Sequence, residues 1–414
     1  MTNPSERLPL GLVLRIFIPF AAGYFLSYFY RVVNALIASD LTSDLGINAS
    51  QLGLLTSAYL IAFAVAQLPL GVMLDRYGPR QTEAGLLLIA ALGAAAFATA
   101  DTASDLLLGR ALIGFGVSAC LMASIKAFVQ WFPLERLPMV NGFLLTAGGL
   151  GALTAATPVE LALQITDWRG VFWILSGLTL VAALAVFFIV PDKKIEHSGA
   201  SLKQQIHGIK TVFGSLKFWA IAPWTIASQA TAISLMGLWT GPWLRDVAAF
   251  DRADMTTALS AIAMGLIAGY LLTGVVTDWL RSKGITPMMI CGTGMVISML
   301  LLLAIIFEFT AYATALWVSY TFFASTAVLS YAILTQRFET TLAGRVNTAQ
   351  NVLIFLIAFV MQWGIGFVIN LFPSSRPDQY DPSGYQVAFS IVLSIQTIAM
   401  IWYFISLRRL ARTS

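Results

Sequence analysis

Long apolar runs separated by short polar segments dominate the pattern of this chain of 414 residues. A helix needs about 20 apolar residues to cross the hydrocarbon of a bilayer, and the chain carries twelve runs of that kind. Their approximate bounds are 15–38, 51–74, 82–100, 104–130, 137–163, 170–190, 217–243, 256–279, 286–309, 311–336, 346–372 and 385–407. The short alternating segments of an outer-membrane barrel are absent from the sequence. The pattern predicts an all-α integral membrane protein with twelve transmembrane helices.

The longest polar interruption, residues 191–216, separates six apolar runs from the next six. Its second part has amphipathic spacing, which predicts a short surface helix. The phrase GVMLDRYGPRQ at 71–81 returns in related form as GVVTDWLRSKG at 274–284. Related phrases at corresponding places indicate internal duplication. We therefore expect two pseudo-symmetric six-helix bundles, 1–190 and 217–414, joined by a cytosolic linker.

The composition supports a membrane protein and its charges set the expected orientation. The chain is 58% hydrophobic and 11% charged, whereas soluble domains carry about 25% charged residues. With both termini in the cytosol, 17 of the 24 Lys and Arg residues lie on the cytosolic side, as the positive-inside rule requires. Because topology explains the formal charge of +4, no nucleic-acid partner is expected. We expect a monomeric, multi-pass protein of the cell inner membrane.

Residue types that build metal, redox or catalytic sites are scarce. Cys120 and Cys291 lie in different halves, which supports neither a disulfide nor a metal site. Both histidines, His197 and His207, fall in the linker. No P-loop or nucleotide-binding pattern is present in the sequence. The sequence therefore predicts no enzymatic activity, no metal and no cofactor.

The repeated phrase combines a glycine, an aspartate and a basic turn. Gly71 and Asp75 are four residues apart, so they share one helix face. The glycine lets another helix approach closely, and the aspartate can receive the positive N-terminal end of a neighbouring helix. The expected neighbour is the eleventh helix, near 344–348. A cytosolic gate is predicted at Gly71, Asp75, Arg76, Gly78, Arg80, Gly274, Asp278 and Arg281.

These phrases resemble the signature loop of the major facilitator superfamily. RALIGFG at 110–116 resembles the arginine–glycine motif of the same family, and DWRGVFW at 167–173 is similar to its common Trp-Arg element. The resemblance covers essentially the whole chain and implies a two-bundle secondary transporter that works by alternating access around a central cavity. YRVVN at 30–34 also looks like the Asp-Arg-x-Asn element of organic-anion symporters, with Tyr30 where those carry a carboxylate.

Three basic residues fall inside predicted spans, where charge is costly and usually functional. Arg31 and Arg110 are expected on the outer side of the midplane, close enough to share a cavity, and arginine suits bidentate carboxylate or phosphate binding. Alternatively, Arg110 is a strut that binds carbonyls of the first helix, and Lys126 reaches the cytosolic headgroups. The candidate substrate contacts of the first half are Tyr28, Tyr30, Arg31, Asn34, Arg110 and Lys126.

Acidic residues are nearly missing from the predicted spans. Glu83 and Glu160 fall near helix ends, and the helix centres carry no Asp or Glu. A positively charged cavity without an internal counter-ion favours an anion from solution. Glu160 is the candidate proton site. In the second half, Gln229 and Asn351 are candidate substrate contacts, with hydrogen bonding between helices as the alternative.

Together these features predict a secondary active transporter, a symporter, for a small and carboxylate-bearing organic anion. The expected partners are this small-molecule anion and the lipid bilayer. Two alternatives stay open. Phe- and Trp-rich helices suggest efflux of lipophilic drugs or of a siderophore-like compound, and a membrane sensor that has lost transport is the other.

Overall fold

The computed structural model of the chain describes residues 9–133, 136–192, 202–339, 342–374 and 379–413. This part of the chain is helical, as the sequence predicts, with short turns between its elements. In chain order the α-helices are α1 Leu10–Val32, α2 Asn34–Leu45, α3 Ala49–Ala98, α4 Ala103–Gly116, α5 Cys120–Trp131, α6 Leu137–Thr154, α7 Thr157–Leu163, α8 Trp168–Ile189, α9 Leu202–Phe213, α10 Leu216–Ser234, α11 Thr240–Asp246, α12 Arg252–Arg281, α13 Pro287–Ile306, α14 Ala313–Ala324, α15 Leu329–Thr335, α16 Ala343–Ile369 and α17 Pro382–Thr413.

Ten helical stretches within the described ranges are long and apolar enough to cross a membrane. The longest, α3, has 50 residues and bends at Gly78, where φ is 75° and ψ is 170°. Residues with a side chain rarely adopt this positive φ, so a glycine is suited to the bend. The predicted spans 51–74 and 82–100 lie on either side of it. The basic phrase at 71–81 is therefore a sharp helix–helix corner.

Capping side chains account for the starts of several helices. Asn48 and Gln51 exchange side-chain-to-backbone hydrogen bonds, each 2.9 Å long, at the start of α3. Thr102 and Asp105 form the same arrangement at α4, and Asp167 accepts from the amide three residues on at α8. These bonds satisfy amides that have no partner inside the helix. The DWRG segment is thus a helix start.

Two of the predicted spans are broken. The first reads as one helix in the sequence, but α1 ends at Val32 and α2 continues from Asn34 as far as Leu45. The fourth is interrupted by turns at 117–119, between α4 and α5. Such breaks provide points at which a membrane-crossing helix can bend.

The two ends of the bundle differ. The linker helix α9 packs its Gly208 against the side chain of Arg345, and we call this the linker end. At the opposite end, the far end, helices from before and after the linker touch. A Cβ atom at Gly241 of α11 would lie 1.8 Å from the carbonyl oxygen of Ala35 in α2. Backbones that approach so closely join the two predicted halves at the far end.

Candidate functional site

A cavity of about 430 Å³ lies between helices from both predicted halves. Arg31 lines it near the end of α1, and it is the one charged residue in the described lining. Asn141 and Asn347 line it within about a turn of the starts of α6 and α16. The cavity therefore extends toward the linker end, whereas contacts close it at the far end. A volume of this size suits a small-molecule ligand.

A second space, about 500 Å³ in volume, lies between α1 and α8. Apart from Arg15, its lining is apolar. Ile18 and Val181 on its walls are 56% and 63% exposed, so they face outward from the bundle. This groove belongs to the lipid-facing surface, and among its lining residues Arg15 alone has a polar side chain.

Arg31 sits in an aromatic cage made by Tyr28, Phe63 and Phe355. Its guanidinium carbon lies 4.6 Å from the ring centre of Tyr28, 5.6 Å from that of Phe63 and 5.1 Å from that of Phe355. Cation–π attraction offsets part of the cost of removing the charge from water. Arg31 forms none of the ion pairs found among the described residues, and its Nε is buried without a hydrogen-bond partner. Aromatic rings, and no carboxylate among the described residues, therefore surround the Arg31 charge.

Uncharged polar groups line the cavity around Arg31. The hydroxyl groups of Tyr28 and Tyr270 lie 3.2 Å apart, and the Tyr331 hydroxyl donates to Asn351 Oδ1 over 2.8 Å. Gln229 Nε2 donates to a serine hydroxyl over 3.1 Å. The structure thus brings together four of the sequence-predicted contacts, Tyr28, Arg31, Gln229 and Asn351. Sequence reasoning missed Tyr270 and Tyr331, and polar side chains inside long apolar runs were the available signal.

Arg110, Tyr30 and Asn34 lie apart from this cavity. Arg110 is 1% exposed and donates from Nη1 to the backbone oxygen of Tyr30 over 2.9 Å. The Tyr30 hydroxyl lies 2.8 Å from that of Thr179. Arg110, Tyr30 and Asn34 meet Arg31 at a void of about 10 Å³, which holds at most a single water. Of the two readings of Arg110, the geometry matches the strut.

Asp75 and Lys126 are partners in an ion pair. Lys126 Nζ also donates to the carbonyl of Leu74 over 2.9 Å. The sequence left two readings for Lys126, a substrate contact or a side chain that reaches the cytosolic headgroups, and assigned Asp75 to the start of the eleventh helix. In this structure they bind each other, and the Cβ position of Gly344, near the start of α16, has no neighbour within 4 Å.

The other members of the repeated phrase form a basic rim. Arg80 Nη1 lies 3.8 Å from Asp192 Oδ2, and Arg76 stacks over the ring of the adjacent tyrosine. Gly71 lies one turn before Asp75 in α3. The rim thus ties the end of α8 to the bend of α3.

The second copy of the phrase, at 274–284, has no neighbouring helix packed against its first glycine in this structure. A Cβ atom at Gly274 would meet nothing within 4 Å, so no helix approaches it. Arg281 ends α12, and Gly284 has a φ of 84° in the turn that follows. The side chain of Asp278 lies outside the described residues. The close helix approach expected at Gly274 is therefore not present in this structure.

Glu160 belongs to a charged cluster at the far end. Arg252 Nε lies 2.8 Å from both carboxylate oxygens of Glu160, and its Nη1 and Nη2 lie 2.9 and 3.1 Å from those of Asp40. Glu160 and Asp40 precede the linker and Arg252 follows it. The cluster therefore links the predicted halves, and the candidate proton site is occupied by an ion pair.

Glu83 departs from the sequence interpretation. The sequence places it near a helix end, but the side chain is 0% exposed in α3. Neither carboxyl oxygen has a hydrogen-bond partner among the described residues. Its depth comes from packing against other helices, which its position in the third apolar run does not reveal.

Comparison with known proteins agrees with this architecture. Residues 20–362 match the sequence model of the Major Facilitator Superfamily. The chain belongs to the major facilitator superfamily. It is 25% identical over 269 residues to the probable sulfoacetate transporter of Cupriavidus necator (62% of each chain). It is 24% identical over 287 residues to the probable L-galactonate transporter of Escherichia coli K12, covering 63% of this chain and 62% of the relative.

Solved structures show the same superfamily fold. A bacterial homologue of the human lysosomal transporter Spinster superposes with a TM-score of 0.75 at 15% identity, covering 97% of this chain and 98% of the other. A nucleoside transporter gives a TM-score of 0.76 at 12% identity, covering 94% and 99%. At these identities the likeness concerns the fold of this superfamily member alone.

Proposed function

We propose that the protein is a secondary active transporter that moves a small organic anion across the inner membrane by alternating access. The observation that carries this proposal is Arg31, which lines a 430 Å³ cavity and has no carboxylate partner among the described residues. Relatives named for sulfoacetate and L-galactonate handle small organic anions. Membership of a transporter family favours transport over catalysis.

The charge of the cavity narrows the substrate class. The described lining residues include one cation, Arg31, and no acid. The cavity can therefore balance a single negative charge. The remaining polar groups are amides and hydroxyl groups, such as Gln67, Gln229, Asn351 and Tyr331, which hydrogen-bond uncharged hydroxyl groups. A hydroxylated monocarboxylate, such as a uronate or an aldonate, satisfies both features. The four other predicted contacts, Tyr30, Asn34, Arg110 and Lys126, are not among the residues that line the cavity.

For the topology we propose twelve crossings, because α3 crosses twice around Gly78 and α10 with α11 adds a further one. The bundles are then 1–190 and 217–414, with the linker at 191–216. Arg80 of the first repeated phrase contacts Val190 and Asp192, next to the linker, which supports a cytosolic linker and cytosolic termini. We also propose that the transporter works as a monomer.

Both ends of the bundle then have a role in alternating access. The far end is the outer face, and it is closed by glycine contacts and by the Asp40–Arg252–Glu160 cluster. On the cytosolic side, Asp75 pairs with Lys126 while the site faces inward. When that side closes, Asp75 is free to receive the start of α16, as the sequence suggests.

Arg252→Ala should open the outer face more often, because it removes two ion pairs between the halves. Partly exposed pairs each contribute about 0.2–1 kcal/mol, so losing both should raise the open population roughly two- to thirtyfold. The measurement is external maleimide labelling of Ala156→Cys, a position 3% exposed in the closed form. Both native cysteines are 0% exposed, so they should not react with external maleimide.

The matched control for this variant is Arg169→Ala. Arg169 also binds an aspartate, Asp44, and lowers the pKa of that carboxyl by hydrogen bonding. Both residues precede the linker, so losing this pair leaves contacts between the halves intact. Equal labelling in the two variants would contradict the outer-gate role.

The substrate class is tested by thermal stability of the purified protein. Galacturonate and galactonate should raise the melting temperature, because a ligand that binds only the folded state stabilises it. Succinate, phosphate, amino acids and lipophilic cations should produce smaller shifts. A shift confined to lipophilic compounds would favour the efflux alternative, and no shift from any anion would count against the proposal.

A further inference from the structure

Glu83 is a buried carboxyl group that the anion site does not use. It lies on α3, five residues after the bend at Gly78, with a side chain that is 0% exposed. A Cβ atom at Gly23 of α1 would lie 2.3 Å from Glu83 Oε1, so the glycine makes room for the carboxyl. The thiol of Cys120 on α5, a weak donor, is the polar group beside it.

We propose that Glu83 binds the proton that is transported together with the substrate anion. This inference rests on the proposed function, because it names the coupling ion of the same transport cycle. It replaces Glu160, whose carboxylate is occupied by Arg252.

The surroundings of Glu83 favour its protonated form in this conformation. The helices α1, α4, α5 and α8 pack against α3. The groups beside the carboxyl are Gly23 of α1 and Cys120 of α5. On α4, Arg110 donates to the Tyr30 carbonyl, and α8 carries no titratable residue from Gly170 to Ile189. Lys126, further along α5, is already paired. An ionised carboxylate here would be buried without a counter-ion or strong donor, which is far costlier than a neutral acid.

The position of Glu83 connects it to the cavity. Tyr24 follows Gly23 and Leu121 follows Cys120, and both of these following residues line the cavity. The carboxyl group thus lies directly behind the wall that α1 and α5 share. Both helices begin or end at a break, at Val33 and at 117–119. Bending at these breaks parts the wall and lets water deliver or remove the proton.

Charge balance explains why the proton and the anion travel together. Eight residues, about 12 Å of helix, separate Gly23 from Arg31 on α1. The proton binds Glu83 first, in the surroundings described above, and a monoanion then binds Arg31. The vacant carrier that returns holds ionised Glu83 and Arg31, so it has the same net charge as the loaded carrier. On the other side of the membrane the anion leaves and the proton returns to water, so each cycle moves one anion and one proton.

The transport test uses radiolabelled galacturonate and purified protein in proteoliposomes, at pH values where the sugar acid stays ionised. An imposed gradient of about one pH unit should support about tenfold accumulation at one proton per anion. Glu83→Gln should abolish this accumulation but retain exchange of labelled for unlabelled galacturonate. Glu160→Gln should keep a response to the gradient. Gradient-driven accumulation by Glu83→Gln would overturn the proposal.

A second measurement needs no substrate and no functional variant. Infrared spectra of the unliganded wild-type protein should contain the carbonyl band of a protonated, buried carboxyl group at neutral pH. The band should be missing from Glu83→Gln and present in Glu160→Gln. If wild type lacks the band, the proton site is wrong. If the band is present but galacturonate is neither bound nor transported, the substrate proposal fails and the protonated Glu83 is supported.

Discussion

Arg31→Ala is expected to weaken galacturonate binding by roughly 10- to 100-fold, because a bidentate, charge-assisted pair contributes on the order of 1.5–3 kcal/mol. Arg31→Lys keeps the charge but loses the planar fork, so it should recover only part of the affinity. The measurement is calorimetric titration of detergent-purified variants that elute as a single folded peak. Affinity close to that of wild type in folded Arg31→Ala would remove the main support for the anion site.

The matched control is Arg15→Ala. Arg15 lies on the same helix, α1, but is exposed in the lipid-facing groove. Its replacement removes the same charge at a position outside the cavity. The affinity of Arg15→Ala for galacturonate should therefore stay within twofold of wild type (a change of about 0.4 kcal/mol). If both alanine variants lose affinity equally, overall charge and not the Arg31 contact explains the loss.

Gly241→Ala is expected to destabilise the form that is closed on the outer face. The new methyl group would lie 1.8 Å from the Ala35 carbonyl oxygen, a backbone atom that cannot turn away. Overpacking costs about 1–3 kcal/mol, which shifts the population roughly five- to 150-fold toward the outward-open form. External labelling of Ala156→Cys should rise accordingly, and galacturonate uptake should slow.

Gly177→Ala provides the comparison for this variant. A Cβ atom at Gly177 of α8 meets nothing within 4 Å, so alanine there gains helix propensity, about 1 kcal/mol, without a clash. Labelling of Ala156→Cys should be unchanged in that variant. Unchanged labelling in Gly241→Ala as well would show that α11 and α2 do not form the outer closure.

The sequence carries most of the information about the fold because hydrophobic length is a local property. Each apolar run coincides with helix in the described structure, and the glycine at 78 marks the bend of α3. The breaks at Val33 and at 117–119 were not predictable, because no proline marks either one. They depend on how neighbouring helices pack, which hydropathy does not encode.

The site was predictable only in part. A charge inside an apolar run identifies Arg31, but Arg110 has the same signal and a different role, because its side chain turns toward the Tyr30 carbonyl. Lys126 and Asp75 lie 51 positions apart, and no local sequence pattern predicts their ion pair. The burial of Glu83 was not predictable for the same reason, since it depends on which helices cover the carboxyl group.

The aromatic cage also bears on how the carrier returns after releasing its cargo. Phe63 from α3 and Phe355 from α16 stack with ring centres 4.1 Å apart, so each predicted half supplies one wall of the cage around the Arg31 guanidinium. A carrier restricted to obligatory exchange cannot reorient when vacant, because its binding site would then hold an unbalanced charge inside the membrane. Here the rings stabilise the Arg31 guanidinium by cation–π contact while ionised Glu83 balances its charge, so we expect the vacant carrier to complete its return and the protein to catalyse net accumulation instead of one-for-one exchange.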